Sequence, residues 1–75
     1  MVNLVKINHP VFDDYYKGTN GNRTVVCILD KYSVRYHVWL NNKLVKTVEF
    51  RNGEEKECFE KATKALNRKS KLLTI

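Results

Sequence analysis

The chain reads as an α+β fold, with a three-stranded antiparallel sheet over residues 23–51 and a C-terminal helix over 52–69 packed on one face. Three observations predict it. Residues Tyr32 to Asn41 alternate without a break, so that Tyr32, Val34, Tyr36, Val38 and Leu40 share one side and Ser33, Arg35, His37, Trp39 and Asn41 the other. Polar turn-forming residues, Asp30-Lys31 before this run and Asn41-Asn42-Lys43 after it, divide the region into three strands. Beyond them Cys58, Phe59, Ala62, Ala65 and Leu66 recur at spacings of three and four, the stripe of an amphipathic helix.

The length, 75 residues, accommodates one domain covering 1–75. A chain of this size buries only about 60% of the surface its unfolded form exposes, so one thin core is expected. An apolar share of 43%, with one Trp, four Tyr and three Phe, suits a folded protein rather than a disordered tail. No apolar run approaches the roughly 18 residues of a membrane span. Residues 1–8 lack the basic start and apolar stretch of a signal peptide, so a cytoplasmic location without membrane contact is expected.

Within residues 1–22, Leu4 to Ile7 suits a short strand, His9-Pro10 breaks it, and Val11 to Lys17 offers a turn or two of helix. An additional N-terminal strand or a short helix is therefore expected beside the three main strands. Lys17 to Asn22 has the composition of a flexible loop, without the spacing of a phosphate-binding loop.

The first main strand runs from Thr24 to Leu29, and a two-residue turn at Asp30-Lys31 would set Leu29 opposite Tyr32, Cys27 opposite Val34 and Val25 opposite Tyr36. For the next hairpin, a two-residue turn at Asn41-Asn42 would carry Val48 and Phe50 to the face of Arg35. A three-residue loop instead places Leu40 opposite Leu44, Tyr36 opposite Val48 and Val34 opposite Phe50. It also sets Arg35 against Glu49, His37 against Thr47 and Trp39 against Val45. Asn52, with Glu55 three residues on, reads as a helix cap. The helix stripe then packs on Val25, Cys27, Leu29, Val34, Tyr36, Val38, Val48 and Phe50.

Cys27 and Cys58 fall within apolar patterns on facing elements and read as reduced core thiols, with a disulfide left open by their placement. No Ser-His-Asp or Cys-His set is legible, Asp13 and Asp14 are adjacent in a turn-like segment, and His9, Asp13 and His37 lack metal-ligand spacing. A non-enzymatic protein without cofactor or metal is expected.

The net charge of +6 is uneven. From Arg23 to Arg51 six basic residues oppose two acidic ones; from Asn52 to Glu60 the balance is −3, and from Lys61 onward it is +5. Acidic residues at the helix start and basic ones at its end suit the helix dipole, and Glu57 with Lys61 and Glu60 with Lys64 are favourable pairs. Arg68, Lys69 and Lys71 remain available for phosphates. A basic excess favours acidic partners, nucleic acid above all.

The helix leaves the opposite side of the sheet open, with Arg35, His37, Trp39 and Thr47 beside Val26 and Ile28. One account has the N-terminal segment cover Val26, Ile28 and Trp39 with Leu4, Ile7, Val11, Phe12 or Tyr15 as a second small core. The functional account has this face dock nucleic acid, DNA ahead of RNA: arginine and aromatic groups meet base edges in the major groove, and Lys31 and Lys43 at the hairpin ends meet phosphates. A third account is an accessory protein of viral or mobile-element type that binds and modulates a host protein through this face or an edge strand. Dimerisation through the Trp39 face would leave the same pattern.

Leu40-Asn41-Asn42-Lys43, then Phe50, Glu54-Glu55, Cys58-Phe59 and Ala62, resembles the Apetala-type or ethylene-response-factor DNA-binding domain across residues 23–69. The arm-binding domain at the amino terminus of tyrosine integrases has a similar sheet. The resemblance implies three strands and a helix, with Arg35 and Trp39 carried to DNA on the exposed sheet. The chain departs from that pattern at Glu49, where the family has glycine, and in having no arginine or tryptophan cluster in the first strand. A resemblance to double-stranded-RNA-binding domains rests on the sheet and Ala62 to Leu66, and departs at Glu54, Glu55 and Glu57, where those domains are basic.

Overall fold

A computed structural model describes residues 2–68. Among these the chain forms β1 (Val5–Ile7), β2 (Tyr15–Asn20), β3 (Arg23–Asp30), β4 (Ser33–Leu40), β5 (Lys43–Phe50) and α1 (Glu55–Asn67). The strands make one antiparallel meander in the order β1-β2-β3-β4-β5, and α1 crosses one face over β3, β4 and the near part of β2. The sheet thus has five strands, not the three expected from residues 23–51.

The two additional strands come from the N-terminal segment. Leu4 to Ile7 supplies β1 as expected, but Tyr15 to Asn20 is a strand rather than a helical turn and a loop. Gly18 gives this segment the composition of a loop. A Cβ at Gly18 would lie 2.5 Å from Leu66 Cδ2 and 3.2 Å from Leu4 Cδ2, so glycine is required because the helix end closes onto the strand there. The turn itself is Gly21-Asn22, with Gly21 in the left-handed region at φ 64°.

Both later hairpins keep the expected faces by different routes, except at two residues. Leu44, expected opposite Leu40 on the helix side, lies opposite Trp39 on the open side, and Val45, expected opposite Trp39, pairs with no residue of β4. The β3–β4 turn is Lys31-Tyr32, one residue later than expected, so Val34 pairs with Leu29 and Tyr36 with Cys27. Because side chains alternate, a two-residue change in pairing leaves the same residues on each face. Asp30 closes the turn by accepting a hydrogen bond from the Tyr32 amide at 3.3 Å, and Tyr32 is 83% exposed instead of joining the core.

The β4–β5 connection is the rejected two-residue turn. Asn41 and Asn42 both have positive φ, 53° and 66°, as tight hairpins favour. A bulge between Val38 and Trp39 on the β4 side, with Val45 as the additional residue of β5, then shifts the register. Trp39 faces Leu44 and Leu40 faces Lys43, whereas beyond the bulge Tyr36 faces Val48, Arg35 faces Glu49 and Val34 faces Phe50, as expected.

The core lies between sheet and helix. Val25, Cys27, Val34, Tyr36 and Val38 meet Cys58, Ala62 and Leu66, with Leu4 closing the β2 side. Each fully buried aliphatic side chain contributes roughly 1.5 to 3 kcal/mol. The Cys27 and Cys58 sulfurs approach to 3.8 Å as free thiols.

The helix begins later than the Asn52 cap implied. Gly53 takes φ 98°, the N-cap is Glu54, and the Glu54 carboxylate turns back to accept a hydrogen bond from the Arg51 amide at 2.7 Å. At the other end, the Arg23 guanidinium donates to the carbonyls of Ala65, at 3.0 Å, and Arg68, while Asn20 donates to Leu66 O at 3.1 Å. Asn67 ties down the start of the chain by two 2.8 Å hydrogen bonds to the Val2 backbone. Lys69 and Lys71, expected near phosphates, lie outside the described residues. Among the described residues no helix is long and apolar enough to cross a membrane.

Candidate nucleic-acid interface

Strand alternation and register build the face opposite α1 as three rows across the sheet. The first holds Ile7, Tyr15, Ile28, Arg35 and Glu49; the second Val5, Lys17, Val26, His37 and Thr47; the third Thr19, Thr24, Trp39 and Leu44. Arg35, His37, Trp39 and Thr47 are therefore brought together as the sequence predicts. Val26 and Ile28, at the centre of the sheet, are buried among their neighbours.

The side chains of β4 and β5 interlock in part. His37 Nδ1 lies 2.9 Å from Thr47 Oγ1, and the His37 and Trp39 rings are neighbours with centroids 5.5 Å apart. The His37 pKa is lowered from the ordinary 6.5, first by partial burial and then by the nearby Arg35 charge, with Glu49 opposing the shift. The Arg35 charge is less neutralised than its position opposite Glu49 suggests. The ion pairs among the described residues join Lys6 to Asp14 and Lys61 to Glu57, so Glu49 does not engage Arg35 although the two face each other. The Arg35 Nε is buried without a hydrogen-bond partner among the described residues.

Lys31 and Lys43 are not drawn into this group. Lys31 lies in the turn before β4 and Lys43 opens β5 beyond its other end, separated by about 25 Å for an eight-residue strand. Lys31 Nζ lies 5.0 Å from the centroid of the Tyr32 ring. The cation that the sheet places in the row of His37, across Val26 from it, is Lys17, missed because its segment reads as a loop. The alternation of Tyr15, Lys17 and Thr19 was the available signal, masked by Gly18 within it and Asn20 after it.

The N-terminal segment widens this face with β1 and β2 and folds over it only at one corner. His9 stacks on Tyr15 at 4.6 Å and lies 5.0 Å from Phe12, with His9 Nδ1 accepting from the Val11 amide at 3.0 Å. These contacts gather on the row of Ile28, while Leu4 joins the core on the other side. Trp39, in the third row, keeps partial exposure. The expected second core is thus a local aromatic cluster, and Leu4 is not part of it.

Chemically, the face offers aromatic surfaces, two cations and few committed polar groups. Among the described residues no group of three or more His, Cys, Asp or Glu side chains gathers at metal-binding distance. No protein-family model matches the chain, and comparison with curated proteins and with solved structures returns no match.

Proposed function

We propose that this protein is a small, non-enzymatic binder of single-stranded nucleic acid, with the strand laid across the open face of the sheet. The observation that carries the reading is the adjacency of the Trp39 and His37 rings, 5.5 Å apart, on the face that α1 leaves free. Unpaired bases stack on such aromatic platforms while basic groups track the backbone, and each stacked base contributes about 1 to 3 kcal/mol. Lys17, in the row of His37, and Arg35, in the row beside it, supply the backbone charge, and Thr47 with His37 supplies hydrogen-bonding capacity.

The five-strand width favours an unpaired strand over insertion into a duplex. Five strands span about 19 Å between the outer backbones, whereas the major groove is about 12 Å wide. With α1 behind the sheet, β1 and β2 stand where the groove wall would be. DNA is the first substrate to test.

Trp39 is the only tryptophan of the chain, so its fluorescence reports directly on the site. Titration with single-stranded DNA at low salt should quench it, with affinity falling steeply as salt rises. Duplex DNA and RNA of the same sequence provide the comparison. An absence of binding to any nucleic acid at low salt would overturn the proposal.

A second reading has one observation of its own. Val5, Ile7 and Leu44 on the same face are 62%, 39% and 54% exposed, the kind of apolar surface a protein partner covers. A host protein or a second copy of this chain would then occupy the face, and sedimentation of the purified chain distinguishes self-association.

A further inference from the structure

On the other side of β5, the sheet and the second half of α1 enclose a groove of about 400 Å³, whose lining includes Tyr36, Lys46, Val48, Lys61, Lys64 and Arg68. It shares Lys46 and Arg68 with a neighbouring hollow of about 220 Å³ that adds Arg23, so the two form one cationic channel. Among the described residues no carboxylate lines either part. Lys61 is held by Glu57 at 3.2 Å, and Arg23 is committed to the helix C-terminal carbonyls. The helix dipole accounts for Lys64 and Arg68 near the end of α1. It does not account for Lys46, which comes from β5 and converges on those charges across an apolar floor.

Convergence of like charges from two elements costs stability unless an anion offsets it. We infer that this channel is a second contact surface for nucleic acid, holding the phosphodiester backbone of the strand whose bases lie on the open face. The inference rests on the proposed function and extends it around one edge of the sheet. Lys46 and Thr47 are consecutive on β5, so their side chains point to opposite faces, and among the described residues β5 is the outer strand of the sheet. A strand leaving Thr47 need only cross that edge to reach Lys46.

The test compares oligothymidylates of about 4 and about 20 nucleotides, lengths bracketing a single small binding platform. Wild type, Trp39→Ala, and the double variant Lys46→Gln/Lys64→Gln are measured by fluorescence anisotropy across a salt series, with thermal melting as the check on folding. The double variant should bind the short oligomer as wild type does, yet bind the long one at least fivefold more weakly. Its salt slope should flatten by about 1.4, the value for two lost single-strand phosphate contacts. Trp39→Ala should weaken both lengths.

If the double variant matches wild type on both lengths, the channel inference is overturned while the open-face reading stands. If instead Trp39→Ala is silent and the double variant loses binding to both lengths, the channel acts alone, and both the open-face reading and the wrapped path are overturned. Tighter binding of polyglutamate than of the long oligomer, lost in the double variant, would assign the channel to an acidic protein and overturn the inference.

Discussion

Arg35 and Glu49 occupy paired positions on β4 and β5 without forming an ion pair, and the Arg35 Nε is buried with no partner among the described residues. A buried donor without an acceptor costs free energy, which a ligand oxygen recovers when the guanidinium turns outward to meet it. Arg35→Ala should therefore weaken oligonucleotide binding by about 1.5 to 3 kcal/mol, the scale of a hydrogen bond to a charged group. Glu49→Gln should tighten binding, because it removes an anion from the path of phosphates. Affinities measured at one fixed salt concentration check both. A loss for Glu49→Gln would mean that the carboxylate orients the guanidinium.

The shifted imidazole sets a pH dependence. Folded His37 holds its proton less tightly than the unfolded residue, whose value is 6.5, chiefly because of partial burial. As pH falls below 6.5 the unfolded state takes up more protons, so the His37 contribution to stability, present above that pH, is lost through the folded value. Chemical denaturation at a series of pH values should show a decline that His37→Gln flattens. A bound phosphate favours the charged ring, so oligonucleotide affinity should rise over the same acid range and lose that rise in His37→Gln.

The thiols of Cys27 and Cys58 are both fully buried, and burial pushes both pKa values upward. Neither should react with a water-soluble alkylating reagent at pH 8 while the protein is folded, and both should react in denaturant. Cys27→Ser should cost about 1 to 3 kcal/mol in denaturant melts by burying a hydroxyl among apolar groups. Rapid labelling of the native protein would show that the layer between sheet and helix opens readily.

Gly18 is the tightest point of the sheet-helix contact. The end of Leu66 and the Asn3 carbonyl oxygen, 2.5 and 3.3 Å from a Cβ placed there, leave no room for a methyl group. Gly18→Ala should destabilise by about 1 to 3 kcal/mol through overpacking. A domain of this size loses about 4 to 8 °C of melting temperature per kcal/mol. Gly53→Ala, where a Cβ meets nothing within 4 Å, separates crowding from backbone strain because its φ of 98° carries only the second.

The elements with strong periodicity were legible in the sequence. The alternation through β4 and the stripe from Cys58 to Leu66 identify the core faces, and Arg35, His37, Trp39 and Thr47 share the predicted surface. What was hidden depended on contacts distant in the chain. Gly18 reads as a loop residue until Leu66, 48 positions later, is seen to press on it, and with Gly18 went β2 and Lys17. The Asn41-Asn42 turn was discarded because a regular ladder would have inverted the strand. A bulge at Val45 removed that conflict, and no local pattern announces it. The Asn52 cap failed because Gly53 turns the chain before the helix begins.

That bulge also bears on how the protein behaves when concentrated. β5 is an eight-residue outer strand, and a straight strand of that length offers its spare amides and carbonyls as a template for another chain. At Val45 the row of spare groups is put out of step, with Lys43 and Lys46 charged on either side of the break. An incoming strand therefore meets a discontinuity and two cations, instead of a regular edge on which fibres grow. The residue that corrects the strand's phase thereby also serves as its guard against polymerisation.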